Sequence, residues 1–426
     1  MRIVFASLGS LGDLHPLLAM AREAERRGHT AVIAASQCFG ESIEAQGFSF
    51  ARIRPDLTPA PERLSHLSHP THGPSRLMRE EIFPSVRATF DDLRAAARDA
   101  DLLVVGELLY VAPLVARVLG IPWVNVVLAP SSFLSTIDPC VLAPVAALYR
   151  WKWLGNWPHR IVLGLGRRVT ARWSRPLQAL RREFGCPDAG NPIFDGKHSP
   201  HRVLACFPEY FAAPQEDWPA QVEQCGFVFF EQSANPATTR RIEAFLAKGD
   251  RPIVFTLGST AVHIAGDFYE WAASVTKRLG RRAILLKGRA ARNVAESDDL
   301  LVLDYAPLEQ LLPRACAVVH HGGIGSCAEA LRFQVPSLVI PFGYDQPDNA
   351  ERLRRLGVAR VLPRRRCSER QLLRELTALL DGADTQRPTL ARLGAAIDPA
   401  GSVAAAIDAL EAAAAATSNA ELAGVR

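Results

Sequence analysis

The run His320-His321-Gly322-Gly323-Ile324-Gly325-Ser326 joins the end of an apolar stretch to a segment with helical patterning. A diphosphate needs positive potential and backbone N–H donors that no side chain obstructs. Gly322, Gly323 and Gly325 let the backbone come close, Ser326 adds a hydroxyl, and the start of the next helix adds its dipole. Either His320 or His321 can donate to a phosphate oxygen. The next apolar strand ends in Asp345-Gln346, whose carboxylate and amide suit the hydroxyls of a sugar. A glycine pair alone makes only an ordinary strand-to-helix turn. With Asp345 and Gln346 on the same edge, the pattern points to a diphosphate joined to a sugar.

Three other places could complete such a site. The strand RPIVFTLGST ends in Gly258-Ser259-Thr260, a second source of N–H and hydroxyl donors. Tyr305 offers an aromatic face to a base, with core packing as the plainer reading. The loop LGSLGDLHP near the amino terminus holds Asp13 and His15, either of which could take a proton from an attacking hydroxyl. Asp13 could instead cap the helix near Pro16, and His15 could be structural or substrate-lining.

Other chemistries find no support. The pair Asp99-Ala-Asp101 precedes a strand, at the edge away from the expected cleft, and reads as a turn. No carboxylate or histidine cluster has metal-ligand spacing, and no GxSxG is present. The eight cysteines are scattered without a CxxC pair, which fits a reducing cytosol and free thiols. The formal charge of +5 over 426 residues accompanies no nucleic-acid module.

The elements that must position these residues alternate strand and helix. Strands are expected at 3–6, 30–35, 101–106, 123–129, 202–207 and 225–229, and again at 252–257, 283–287, 300–304, 316–320 and 337–341. Leu8–His15 reads as a loop and Pro16–Arg27 as a helix stopped by Gly28. This is the pattern of an α/β chain with two successive Rossmann-like, doubly wound domains facing a cleft. The expected division is 1–230, 231–395 and a helical tail over 396–426. No apolar run reaches the roughly 18 residues of a membrane span, and no signal peptide opens the chain. The expectation is a cytoplasmic protein, at most peripheral to the inner face of a membrane.

Residues 139–182 stand apart. They hold no Asp or Glu, nine Lys or Arg, and four of the seven tryptophans. Trp151, Trp153 and Trp157 read as an interfacial segment meeting anionic lipid, as an aromatic acceptor pocket, or as a solvated basic face over a packed core.

Residues 320–350 resemble the donor signature of nucleotide-sugar glycosyltransferases of the GT-B fold, among them the glucuronosyl-, sterol and macrolide glycosyltransferases. The resemblance places His321 on the phosphate-binding histidine, Ser326 on a phosphate contact and Glu329 on a ribose-binding acid. It places Asp345 and Gln346 on the sugar-hydroxyl pair, and Tyr305 with Pro307 on the aromatic-x-Pro that stacks on the base. The GSxGDxxP pattern of bacterial and sterol-type relatives favours Asp13 over His15 as base, and no metal or other cofactor is implied. FPEYFAAPQEDWP at 207–219 and GSTAVHIAGDFY at 258–269 further resemble the rhamnosyltransferases of rhamnolipid synthesis. The implied partners are a UDP- or dTDP-linked sugar and a hydrophobic hydroxyl acceptor, with no nucleic acid. The implied reaction is inverting transfer. A sterol-, macrolide- or flavonoid-type UDP-glucosyltransferase, an epimerase on the same fold and a non-catalytic partner are the alternatives.

Overall fold

The computed structural model describes residues 1–57, 61–142, 149, 153, 155–186, 190–231, 235–288 and 294–422. Seven strands form one parallel sheet. They are β1 (Arg2–Ala6), β2 (Thr30–Ala35), β3 (Ser49–Arg52), β4 (Leu102–Val105), β5 (Trp123–Val127), β6 (Arg202–Ala205) and β7 (Val222–Gln224). Their spatial order is β3-β2-β1-β4-β5-β6-β7. Six more form a second sheet: β8 (Ile253–Thr256), β9 (Ala283–Leu286), β10 (Leu300–Leu303), β11 (Ala317–His320), β12 (Ser337–Val339) and β13 (Ala359–Val361). Their order is β10-β9-β8-β11-β12-β13, again all parallel. β4 (LLVV) and β8 (IVFT) are buried at every position, as strands covered by helices on both faces must be.

Strand order reverses between β1 and β4 in the first sheet and between β8 and β11 in the second. The loops leaving those strands diverge to opposite faces and open a crevice at the carboxyl ends, where ligands of such sheets collect. Helices pack around both sheets, among them α1 (Leu11–Arg26), α2 (Trp157–Thr170), α3 (Ile324–Arg332), α4 (Gln346–Arg355) and α5 (Pro399–Leu422).

Three sequence expectations need correction. The first helix begins at Leu11, so Asp13 and His15 lie in its first turns, and Pro16 sits inside it. Ser10 caps that earlier start, and the hydrogen bond Pro16 cannot make would have gone to exposed Gly12. The strand expected over 225–229 lies earlier, as β7, because Gly226 turns to φ +83°. The short strands β3 and β13 were not expected. Both lie at sheet edges, where partial exposure removes the apolar run. The pair Asp99-Ala-Asp101 ends in a bend whose Asp101 carboxylate accepts the Arg2 N–H at 2.7 Å.

The tail helix α5 packs against α1, β5 and β6 of the first sheet. Its Ala406, Ile407 and Leu410 are buried with Ile3, Phe5 and Leu14 in one cluster. Arg27 pairs with Asp408 at 2.5 Å, and His29 with Glu411 at 2.8 Å. Another cluster joins Val127, Phe133 and Phe207 to Cys327, Leu331, Val339 and Leu353, so the two sheets share apolar core. Among the described residues, no single helix is long and apolar enough to cross a membrane.

Candidate active site

The first switch point carries the carboxylates. After β1 the chain turns through Gly9 at φ +138°, where a Cβ would sit 2.5 Å from Asp13 Oδ2. Glycine is thus required beneath the Asp13 carboxylate. Asp13 Oδ2 accepts from the Ser10 N–H at 2.7 Å and the Ser10 hydroxyl at 2.9 Å, while Ser10 Oγ accepts from the Gly12 N–H at 3.2 Å. This is a capping box. Both Ser10 bonds fall on Oδ2, so the cap orients the carboxylate without engaging Oδ1. Burial raises the Asp13 pKa, against the lowering effect of the Ser10 bonds. His15, two residues on, faces another way around the helix. Its ring lies 5.6 Å from the Phe230 ring, and burial pushes its pKa down to about 4.

The loop after β4 contributes Glu107, which in the sequence is only a polar break in an apolar run. Glu107 accepts from the Ser132 hydroxyl and, at 3.3 Å, from the Leu128 N–H. The Lys197 ammonium donates to the Ser132 carbonyl beside it. Desolvation in the cleft raises Glu107 to about 6, with Lys197 opposing and the Asp13 charge adding to the rise.

The second switch point holds the glycine turn. His320 belongs to β11, is fully buried, and its Nδ1 accepts the Gly322 N–H at 3.2 Å. Burial drives its pKa to about 3, so it is a neutral core residue bracing the turn. His321 points out of the strand between two glycines. A Cβ on Gly258 would lie 2.5 Å from His321 Cε1, and one on Gly323 2.5 Å from its Nε2. Its Nδ1 is buried without a partner, and burial lowers its pKa to about 4. Gly322 takes φ +90°, and a Cβ there would meet Val339 at 2.9 Å. A Cβ on Gly325 would meet nothing within 4 Å, so only open space lies beside the first turn of α3. Ser326 is half-buried in that turn. Gly258, exposed Ser259 and half-buried Thr260 come directly after β8, the strand paired with β11 in the register Thr256 to His320.

Glu329, one turn further along α3, is raised to about 7, chiefly by burial. Its Oε2 makes no hydrogen bond and has only Arg332 at 3.8 Å. Tyr305 comes after the edge strand β10 and is 53% exposed, so core packing is not its role. Pro307 is buried and caps the short helix Leu308–Leu311. β10 and β11 are three strand spacings apart, about 14 Å. Aromatic, phosphate-type and sugar-type groups thus succeed one another along a single sheet edge.

Asp345 and Gln346 lie beyond β12. The Gln346 amide oxygen accepts the Phe342 and Gly343 N–H groups at 2.9 and 3.1 Å, so that oxygen holds the turn and only its NH2 is left for a ligand. Asp345 accepts from Asn349 Nδ2 at 2.7 Å, and the same amide reaches the Gly322 carbonyl at 3.0 Å. Asn349, which sequence reasoning missed, ties the glycine turn to the acid. Tyr344 adopts φ +57°, and its hydroxyl donates to the Leu67 carbonyl at 2.6 Å in the other half. Burial raises Asp345 to about 7, with Asp13 and Glu107 adding to the rise. Carboxylates from both sheets therefore feel one another across the cleft.

Trp151 lies outside the described residues. Trp153 and Trp157 are 77% and 57% exposed. The inner side of α2, through His159, Val162 and Leu163, closes a narrow crevice with Ser135, Cys140, Leu142 and Tyr149. Trp153 and Trp157 do not line it.

Two doubly wound sheets whose switch-point loops meet in one cleft define the GT-B class of fold. The model of the erythromycin biosynthesis protein CIII-like C-terminal domain matches residues 284–403. The O-mycaminosyltylonolide 6-deoxyallosyltransferase of Streptomyces fradiae is 30% identical over 421 residues, covering 93% of this chain and 94% of that one. The calicheamicin glycosyltransferase CalG4 superposes with a TM-score of 0.70 at 18% identity, over 97% of each chain. The spinosyn rhamnosyltransferase SpnG, complexed with thymidine diphosphate, gives 0.66 at 17% identity, over 96% of this chain and all of its own. This chain is a member of the family 1-type GT-B glycosyltransferases. It is a nucleotide-sugar glycosyltransferase of the natural-product type.

Proposed function

We propose that the protein transfers a 6-deoxyhexose, with rhamnose the leading candidate, from a dTDP-linked donor to a hydroxyl of a hydrophobic acceptor, inverting the anomeric centre. The observation that carries this reading is geometric: Asp13 opens the helix at the switch point of the first sheet, and Asp345 follows Tyr344, whose hydroxyl donates to the Leu67 carbonyl of the half that holds Asp13. A candidate base and the sugar-type site thus lie on two halves that touch. The deoxysugar is favoured by the likeness to the 6-deoxyallosyltransferase of Streptomyces fradiae and by the thymidine diphosphate in SpnG. The rhamnosyltransferase-like stretches at 207–219 and 258–269 support it further.

In this reading residues 1–230 receive the acceptor, 231–395 hold the donor, and 396–426 return to brace the first half. Asp13 takes the acceptor proton as its oxygen attacks the anomeric carbon and the bond to the diphosphate breaks. Its raised pKa makes it the stronger base. Negative charge gathering on the departing diphosphate meets His321, Ser326, the N–H groups opening α3, and Gly258–Thr260. Asp345 and the Gln346 NH2 orient the sugar, Glu329 the ribose, and Tyr305 stacks on the base above Pro307. No metal enters any step.

A donor panel tests the reading: dTDP-rhamnose and UDP-glucose, each with a 3-hydroxy fatty acid lipid, a macrolide or no acceptor. The expected result is an inverted rhamnoside on a hydrophobic acceptor. Retention of configuration, or a new sugar nucleotide formed without acceptor, would overturn it, the latter in favour of an epimerase.

A further inference from the structure

Nine large hydrophobic side chains are exposed among the described residues, and five of them lie on or beside α2. Trp157, Ile161, Leu165 and Val169 recur every fourth residue, each more than half exposed, with Trp153 just ahead of them. That spacing makes one continuous apolar stripe along a helix about 21 Å long. The opposite side of the helix is already used, since His159 is buried there and lines the inner crevice with Leu163. The stripe is therefore an outward face, separate from the packing that holds the helix in place.

Arg160 and Arg168 occupy the adjoining row, with Gly164 between them, and Arg172 lies just past the helix end. All three are exposed, and none forms an ion pair among the described residues. Arg167, by contrast, is paired with Asp195 at 2.6 Å. No acidic residue occurs anywhere in 139–182.

This combination selects among occupants. A second copy of the chain, docked by a two-fold axis, would bring the same arginine row against itself. A nucleic acid would satisfy the arginines and leave Ile161, Leu165 and Val169 in water. A bilayer with anionic headgroups satisfies both rows, because the aliphatic stripe enters the acyl boundary while guanidinium groups stay with the phosphates.

We propose that α2 lies in the plane of an anionic membrane surface, with Trp157, Ile161, Leu165 and Val169 inserted and Arg160, Arg168 and Arg172 on the headgroups. Sheet and cleft remain in water, and the inference does not rest on the identity of the sugar or of the base.

The test is co-sedimentation of the full chain with vesicles of equal parts phosphatidylglycerol and phosphatidylcholine, against vesicles of phosphatidylcholine alone. Binding is expected to the first and not the second, and to weaken with added salt. The double variants Ile161→Ser/Leu165→Ser and Arg160→Ser/Arg168→Ser should each weaken binding about tenfold or more. These side chains face solvent, so circular dichroism and the melting temperature should match the parent. Equal binding to both vesicle types, no binding to either, or variants that bind like the parent would overturn the proposal. So would a concentration-dependent dimer abolished by Ile161→Ser/Leu165→Ser, which would assign the stripe to a second copy.

Discussion

Asp345 is held in surroundings that oppose its charge, since burial and the nearby Asp13 and Glu107 raise it to about 7. An unfolded aspartate titrates near 4. Between about pH 4 and 7 the folded chain therefore keeps a proton the unfolded chain has lost, and stability must fall as pH rises through that window. Asp345→Asn removes the loss. The variant should melt at least about 2 °C above the parent at pH 8, match it at pH 4, and lose transfer activity. Gly258→Ala tests a different feature, the wedge around His321. The new Cβ would lie 2.5 Å from the imidazole on a backbone at φ +68°, so the ring must move. A loss of about 10²-fold in kcat/KM for the donor is expected, with acceptor KM little changed. At this scale the sequence is readable where residue types are unusual. Three glycines around two histidines, and an Asp-Gln pair ending a strand, stand out from any background. Glu107 and Asn349 do not. An acid after an apolar strand and an amide in a polar helix are common, and only the fold brings them to Asp13 and Gly322.

At the scale of elements, α4 is fastened across the cleft by charge. Arg352 is 3% exposed and bonds Asp348 Oδ2 through Nε at 2.8 Å. Its Nη1 reaches Asp138 Oδ2, also at 2.8 Å, on the other half of the molecule. Asp348 Oδ1 in turn accepts the Val141 N–H at 2.9 Å. Arg352→Met leaves a fully buried carboxylate without its counter-ion and should cost about 3 kcal/mol in urea denaturation. Strands β1, β4, β8 and β11 are readable in the sequence because both faces are covered, which demands unbroken apolar runs. Edge strands β3 and β13 lack that demand and leave no such trace. The start of α1 is misread because Pro16 looks like a first-turn residue. Ser10 with Asp13 is the stronger start signal, and the same carboxylate serves both as cap and as candidate base.

At the scale of the whole molecule, the two halves are joined by the shared apolar cluster and by the return of α5. The alanine-rich tail is readable as a helix, but its destination is not, since a contact between Leu410 and the first sheet spans nearly the whole chain. Leu410 is fully buried there, and Leu410→Ala should cost about 2–5 kcal/mol. The Tyr344 hydroxyl, donating to the Leu67 carbonyl, ties the two halves at the cleft as well.

Transfer across that cleft rests on Asp13 acting as a base as well as a helix cap, and Asp13→Asn separates the two. The amide oxygen can still accept from the Ser10 N–H and hydroxyl, yet the side chain cannot take a proton. The decisive measurement is kcat for transfer, taken beside calorimetric binding of dTDP and the melting temperature. A base at Asp13 predicts a fall of about 10²–10⁴-fold in kcat with dTDP binding retained and no loss of melting temperature. Transfer at the parent rate, or a loss of activity that only tracks a loss of fold, would contradict it.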